Sequence, residues 1–391
     1  MKKLKNRFDL DLMRNVHITL IGGQTIPIYR CIKAVNPDLI VYIFSKSSET
    51  EYHRISEMLE IEEDRQEPLD AVDPIIIRTR AEALAEKYKD DYVTLNITGG
   101  LKSWTYLFSA VFAGRKNVDV LYLDQNNQMW NYTKMSGSDA AIYIDMQTVF
   151  RLTGNPLVKF SDLRSYTEDD DIVAGELEKF RKFNYAEFTS LLSTLSKEDA
   201  HHLKNGKEGK VVTKTSLSSA IWRKCDDGKE VVNISLRKGG SDNKELVLKS
   251  EHAISLAFNT GWFEYKVARM LSKWPEAVNV YLNCTFPFAP NLDRNEVDII
   301  VETKNRLLFV ECKTQVYNST DIDKFSTVVR RYGGSASMSL FVTESPMKIM
   351  AREKCSSSDV MVFSLNDENR NIQSYKKLFE LLDNNVKRIR K

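Results

Sequence analysis

The segment Asn295-Glu296-Val297-Asp298-Ile299-Ile300-Val301-Glu302-Thr303-Lys304-Asn305-Arg306-Leu307-Leu308-Phe309-Val310-Glu311-Cys312-Lys313 constrains this chain more than any other. Two apolar runs flank the polar Thr303-Lys304-Asn305-Arg306, which reads as a β-hairpin. With Lys304-Asn305 as a two-residue turn, Thr303 lies opposite Arg306. Carried back along both strands, that register sets Asp298 opposite Glu311. Opposed residues have Cβ atoms about 4.5–5.5 Å apart, close enough for two carboxylates to share a cation. Lys313, two residues past Glu311, shares that face, whereas Cys312 points with Val310 and Leu308 into apolar packing. Carboxylates this close raise each other's pKa unless a cation sits between them. Hard divalent cations prefer such oxygen ligands, and magnesium takes one or two carboxylates and keeps several waters. A lysine beside such an ion can orient the attacking water and stabilise developing charge. The competing reading is a structural Glu311–Lys313 pair at a strand end, with Asp298 at a solvated strand start.

A third carboxylate stands upstream. Gly261-Trp262-Phe263-Glu264 begins a helix with an apolar stripe of Phe263, Val267, Met270 or Leu271, and Trp274. Glu264 falls beside that stripe, in reach of a sheet beneath it. Alternatively it is an N-terminal glutamate that favours the helix dipole. A strand over 278–282 follows, then the hairpin, a helix over 321–331, a strand over 339–342, a short helix and a strand over 359–363. The order is αβββαβ. This order and these residues resemble the PD-(D/E)xK nuclease fold, over residues 250–365. The resemblance implies that Glu264 is the helix acid, Asp298 the first strand acid, and Glu311 with Lys313 the ExK pair. It further implies that Glu264, Asp298, Glu311 and the backbone carbonyl of Cys312 hold magnesium or manganese. The family's Pro-Asp dipeptide is absent, since Val297 precedes Asp298.

The first 150 residues have a different character. Apolar, β-rich runs at 16–21, 39–44, 75–77, 92–97 and 118–123 alternate with helical segments. That alternation argues for a parallel sheet covered on both faces, with ligands bound where loops leave the carboxyl ends of the strands. Three loops are placed to converge there: Gly22-Gly23-Gln24-Thr25, Ser45-Lys46-Ser47 and Thr98-Gly99-Gly100-Leu101-Lys102-Ser103. In the third, two glycines allow close backbone approach, free amides at a helix start attract phosphate, and Lys102 adds positive charge. It has neither Walker nor GxGxxG spacing. A tight strand-to-helix turn is the alternative for the Gly-Gly pair alone. Asn96-Ile97-Thr98-Gly99-Gly100-Leu101-Lys102, with the Gly-Gly-Gln-Thr loop, resembles the CARF domain, a Rossmann-like sensor. The resemblance implies a dimer whose protomers share one cyclic oligoadenylate. Gly23, Gln24, Thr25, Ser45, Thr98, Gly99, Gly100, Leu101 and Lys102 would contact it.

Length and composition fit this division. A chain of 391 residues with 42% hydrophobic and 28% charged residues is expected to form two cored domains. The expected limits are a sensor domain at 1–150, a linker or small insertion at 151–245, and a nuclease domain at 246–391. In the middle segment Glu168-Asp169-Asp170-Asp171 reads as a solvated turn or linker. His201-His202 is a poor metal pair, because adjacent helical residues do not face each other. Lys204, Lys207, Lys210 and Lys214 form a basic loop. Lys+Arg of 56 against Asp+Glu of 54 gives a net charge of +2, so any polyanion site is a local patch. Five scattered cysteines without a CxxC pair fit a reducing cytoplasm. No run approaches the roughly 18 apolar residues of a membrane span.

The two halves together resemble the CARF-nuclease effectors of type III CRISPR systems. That resemblance implies a two-fold homodimer in which cyclic tetra-adenylate activates metal-dependent cutting of DNA or single-stranded RNA. A constitutive restriction or repair nuclease is the enzyme alternative, with the first domain an assembly platform. A ligand-sensing regulator with an inactive nuclease half is the binding alternative, and the complete Glu–Asp–Glu–Lys set argues against it. A dinucleotide oxidoreductase fails on the glycine spacing and on Ser45, which stands where an acid is expected.

Overall fold

The structure is a computed structural model and describes residues 13–70, 72–140, 142–193, 202–203, 205–214, 216–238, 242–287, 295–304, 306–316, 320–333, 337–369 and 371–389. His201, Lys204 and Asn305 lie outside these residues. The chain divides into two units, residues 1–157 with 388–391 and residues 158–387.

In the first unit the order is β1 (Asn15–Leu20), α1 (Thr25–Val35), β2 (Leu39–Ile43), α2 (Glu49–Ser56), β3 (Glu62–Asp64), α3 (Pro74–Lys87), β4 (Tyr92–Asn96), α4 (Lys102–Phe112), β5 (Val118–Leu123), β6 (Gln128–Asn131), β7 (Ser136–Asp139) and α5 (Met146–Leu152). The sheet order is β3-β2-β1-β4-β5-β6-β7. The first five strands run parallel, and β6 and β7 are antiparallel. Alternate residues of each strand serve opposite faces. Val16, Ile18 and Leu20 of β1 join a core with Leu84, Trp104 and Phe108 from α3 and α4. On the other face Ile40 and Tyr42 pack with Ile28 and Ile32 of α1. Burial on both faces is why these strands read as unbroken apolar runs. His17, also on β1, is buried with Nδ1 2.7 Å from Thr94 Oγ1, and burial pulls its pKa down to about 3.

The run Ile75-Ile76-Ile77, expected as a strand, is the first turn of α3. Asp73 caps it by accepting from the Ile75 and Ile76 amides (2.8 and 3.2 Å), and Pro74 suits the first helical position. Helical spacing then sorts the isoleucines: Ile77 is buried with Ala81 and Leu84, while Ile75 and Ile76 are exposed. The cap sets an expected result. Asp73→Ala lowers the stability of the first unit by about 1 kcal/mol, read as an earlier urea midpoint with an unchanged slope.

The second unit contains β8 (Lys159–Asp162), α6 (Glu168–Phe180), α7 (Tyr185–Ser193), β9 (Glu208–Val212), β10 (Ser219–Lys224), β11 (Glu230–Arg237) and β12 (Asn243–Ser250). It continues with α8 (Ala253–Ala257), α9 (Gly261–Leu271), β13 (Ala277–Phe286), β14 (Asn295–Thr303), β15 (Leu307–Lys313), α10 (Thr320–Tyr332), β16 (Met338–Thr343), α11 (Ile349–Ser357), β17 (Met361–Ser364) and α12 (Tyr375–Ile389). A mixed sheet has the order β17-β16-β15-β14-β13-β8, and a separate antiparallel sheet has the order β12-β11-β10-β9. The αβββαβ series from α9 to β16 is as the sequence implies.

Residues 151–245, expected as a linker or small insertion, form helices and strands over their described residues. Residues 151–157 close the first unit, and β8 pairs with β13 as an edge strand of the mixed sheet. α6 packs on α8, α9 and β12 through Val173, Leu177 and Phe180. The acidic run Glu168–Asp171 is the first turn of α6, where negative charge favours the helix dipole. Asp170 is fully buried and accepts from the Thr167 and His252 amides (2.8 and 3.2 Å). Of the basic series, Lys210 lies exposed on β9.

Candidate active site and ligand-binding edge

Parallel pairing of β2, β1 and β4 brings their carboxyl ends side by side. The three loops singled out in the sequence leave from these ends. Asn96 ties the third loop to β1: its Nδ2 donates to Thr19 Oγ1 (3.0 Å) and its Oδ1 accepts from the Thr98 amide (3.0 Å). Thr98 Oγ1 in turn accepts from the Leu123 amide at 2.8 Å. Gly100 has φ +81°, and a Cβ there would lie 2.7 Å from Leu20 Cβ. The backbone of the Gly22 loop passes so near that a Cβ on Gly22 would meet the Gly100 nitrogen at 2.8 Å.

The nine residues expected to contact a ring divide by their surroundings. Gly23, Gln24, Leu101 and Lys102 are exposed. Thr25 is buried and donates its hydroxyl to the Leu152 carbonyl (2.8 Å). Ser45 is buried, with its Oγ 2.8 Å from Ser47 Oγ and 3.2 Å from Ser48 Oγ, inside a capping box. Thr98, Gly99 and Gly100 are half-buried and shape the turn. Neither Gln24 nor Leu101 caps its helix with a side chain, and both helix starts lie at the carboxyl edge of the sheet, where the helix dipole favours an anion.

In the second unit the hairpin has the expected register. Ile299 faces Val310, Ile300 faces Phe309, Val301 faces Leu308 and Glu302 faces Leu307. Past this ladder, Asp298 Oδ2 accepts from the Cys312 amide at 2.7 Å, which fixes the Asp298 carboxylate against the end of β15. Lys313 Nζ lies 2.8 Å from Glu311 Oε1, with side chains 38% and 16% exposed. α9 packs on β13, β14 and β15 and carries Glu264 in its first turn. That turn is tightly built. Asn259 and Thr260 have left-handed backbones (φ +53° and +64°), and a Cβ on Gly261 would meet the Ser255 carbonyl oxygen at 1.9 Å. Only glycine fits at the start of the Gly-Trp-Phe-Glu series.

The electrostatics bind the four groups into one cluster. Burial, and then the charges of Asp298 and Glu296, push the Glu264 carboxyl well above its ordinary range. Burial and then Glu311 raise Asp298 to about 8, against the pull of Lys313 and of the Cys312 amide. Glu311 is raised by burial and partly relieved by Lys313. Burial disfavours the Lys313 ammonium, but Asp298 and Glu311 outweigh it and hold its pKa above the usual lysine value. The buried Cys312 thiol is pushed well up by burial and then by Asp298 and Glu264, so it is no thiolate ligand.

Among the described residues no three His, Cys, Asp or Glu side chains stand as a ready-formed metal cage. Glu311 leans on the Lys313 ammonium instead. The donor set still suits a hard divalent cation. Three partly buried carboxyls, with Glu264 raised further by Asp298 and Glu311 and Asp298 by Glu311, are relieved by an ion among them, and magnesium needs few protein ligands.

Sequence reasoning passed over Glu296. It is exposed, shares the face of Asp298 two residues on, and adds to the negative field on Glu264, Asp298 and Glu311. The period of two along β14 would have found it.

Residues 16–151 match the family model of the Card1 CARF domain. None of the curated proteins matches the sequence. Among solved structures, Can2 from Sulfobacillus thermosulfidooxidans in complex with cyclic tetra-adenylate aligns with a TM-score of 0.64 at 16% identity, over 95% of this chain and 98% of its own. VC1899 from Vibrio cholerae aligns with a TM-score of 0.66 at 16% identity, over 96% and 98%. A type III CRISPR defence DNA nuclease activated by cyclic oligoadenylate aligns with a TM-score of 0.57 at 14% identity, over 95% of this chain and 52% of its own. The first unit thus has the Rossmann-like CARF fold, and the second the αβββαβ restriction-endonuclease-like fold.

Proposed function

We propose that this chain, a CARF domain joined to a restriction-endonuclease-like domain, is a metal-dependent endonuclease of type III CRISPR defence switched on by a cyclic oligoadenylate. The observation that carries the reading is geometric: Asp298 is hydrogen-bonded to the Cys312 amide, Glu311 is paired with Lys313, and Glu264 sits in the first turn of α9, which packs on β15. The partner fold supports the activator: Can2 was solved with cyclic tetra-adenylate, and the DNA nuclease is described as activated by cyclic oligoadenylate. On this reading cyclic tetra-adenylate lies against the loops at the carboxyl ends of β1, β2 and β4. A homodimer supplies two copies of those loops to a ring of phosphates. On this reading residues up to 157 form the sensor, and residues 158–387 form the nuclease unit, with its αβββαβ core after residue 246.

Glu264, Asp298, Glu311 and the Cys312 carbonyl would hold magnesium or manganese, which supplies charge neutralisation at the scissile phosphate and an acidified water. Asp298 is oriented by the Cys312 amide, which donates to its Oδ2. Lys313, charged at neutral pH, turns from Glu311 toward a phosphate oxygen and balances the negative charge that grows there. Lys324, Arg330 and Arg331 are exposed on α10 and suit the sugar-phosphate backbone of a DNA or single-stranded RNA substrate. A cytoplasmic place of action accords with this substrate, and no described helix is long and apolar enough to cross a membrane.

The test is cleavage of labelled plasmid, single-stranded DNA and RNA with manganese, across a panel of cyclic oligoadenylates and with none. Cleavage that requires a ring, and is greatest with cyclic tetra-adenylate, is the expected result. Cutting of equal rate without any ring would return the chain to the constitutive-nuclease alternative.

A further inference from the structure

Arg181 follows α6 and is 6% exposed. Both of its terminal nitrogens meet the Glu344 carboxylate, Nη1 at 2.9 Å from Oε2 and Nη2 on Oε1. Its guanidinium lies over the Trp262 ring, 4.5 Å from the centroid, and 5.5 Å from that of Tyr185. Each partner adjoins the cluster. Trp262 is fully buried two residues before Glu264. The Glu344 amide donates to the Lys313 carbonyl at 3.2 Å, and its carbonyl accepts from the Asn366 amide at 3.0 Å. One guanidinium therefore touches the turn that carries the helix acid and, through Glu344, is linked to the strand end that carries the lysine.

The helix that delivers Arg181 is itself strapped to α9. Asp171 pairs with Arg269 and accepts from the Tyr265 hydroxyl at 2.8 Å, and Lys266 reaches Glu178 at 2.8 Å. A bidentate Arg–carboxylate fork fixes both distance and plane, which a lysine cannot do.

We infer that Arg181, acting through Glu344 and Trp262, is a positioning residue that sets the separation between Glu264 and the Glu311–Lys313 strand end. This rests on the nuclease reading above. A buried ion pair replaced by apolar residues of similar volume is often neutral for stability. A fork kept only for stability is therefore dispensable, and a fork kept for geometry is not. Misplacement of reacting groups by about 1 Å costs up to roughly a hundredfold in rate.

The experiment compares the full-length protein with the double variant Arg181→Met/Glu344→Leu, the charge-swapped Arg181→Glu/Glu344→Arg, the near-isosteric Glu344→Gln, and Lys313→Ala. Each is assayed for plasmid nicking with manganese and saturating cyclic tetra-adenylate, and each is melted thermally. The apolar pair and Glu344→Gln are expected to lower kcat by about tenfold to a hundredfold with KM little changed, at temperatures where the melts show folded protein. The swapped pair is expected to regain part of the loss. Should the double variant not fold, Glu344→Gln decides. Folded variants whose kcat stays within about twofold of wild type, or whose loss lies in KM alone, overturn the positioning role. If Lys313→Ala nicks as wild type does, the nuclease reading has failed and this inference goes with it. If Lys313→Ala is inactive while the fork variants are not, only the fork's role is wrong.

Discussion

Lys313→Ala is expected to lower activator-dependent nicking by about a thousandfold, the largest effect of any single substitution in this chain. The lysine does two things at the end of β15. It holds Glu311 at 2.8 Å, and its charge offsets the repulsion among Glu311, Asp298 and Glu264. Without it the carboxyls take up protons more readily, and the phosphate loses a cation at the point where negative charge develops. Lys313→Arg keeps a charge but not a compact ammonium, and is expected to recover only a small part of the rate. The measurement is single-turnover nicking with manganese and cyclic tetra-adenylate, with ring binding assayed in parallel. Ring binding is expected to be unchanged, since the loops concerned belong to the first unit. Equal nicking by Lys313→Ala and wild type would falsify the site.

Gly99→Val is expected to remove ring binding and, with it, ring-dependent cleavage. A Cβ on Gly99 would stand 2.5 Å from the Leu20 carbonyl oxygen and 2.6 Å from Ile28 Cδ1. The first is backbone of β1 and the second is a fully buried core side chain, so neither yields without moving the loop. Overpacking of this kind costs about 1–3 kcal/mol in stability. If the displaced loop loses even about 1.4 kcal/mol in ligand contacts, affinity drops by about tenfold, and a loss of about 3 kcal/mol would lower it by more than a hundredfold. Lys102→Ala gives the contrast. Lys102 is exposed, so its loss should weaken ring binding through charge alone and leave the melting temperature of the first unit unchanged. Calorimetric titration of cyclic tetra-adenylate, beside thermal melts, separates the two cases. A Gly99→Val protein that binds the ring as wild type does would show that this turn is not where it lies.

The hairpin was legible because every part of it agreed. A turn of polar residues between β-rich runs fixes the register, and the register fixes which side chains share a face. The loops of the first unit were legible for a similar reason, since parallel apolar strands leave ligands only one edge. Three isoleucines in a row carry no period, so the capping Asp73 and Pro74 outweighed their β-preference in α3. Four acids in a row looked like solvent-facing chain, yet one of them, Asp170, is fully buried in a hydrogen-bonded cap. The alternation in β9–β12 is blurred by apolar residues on the exposed face, among them Val212, Ile221 and Val247, so periodicity alone does not mark a sheet there. Arg181 and Glu344 are 163 residues apart and share no motif, so only the folded chain brings them together.

The strand β8 carries an implication for how such proteins can be assembled from parts. It comes directly after the division at residue 157, yet it borders the same sheet that holds Asp298 and Glu311. A hydrolytic module excised at residue 246 would therefore leave behind its border strand, its bracing helix and the arginine fork. Exchange of sensors between homologues, in the laboratory or over evolutionary time, has its natural seam ahead of Val158, where the joint severs no sheet.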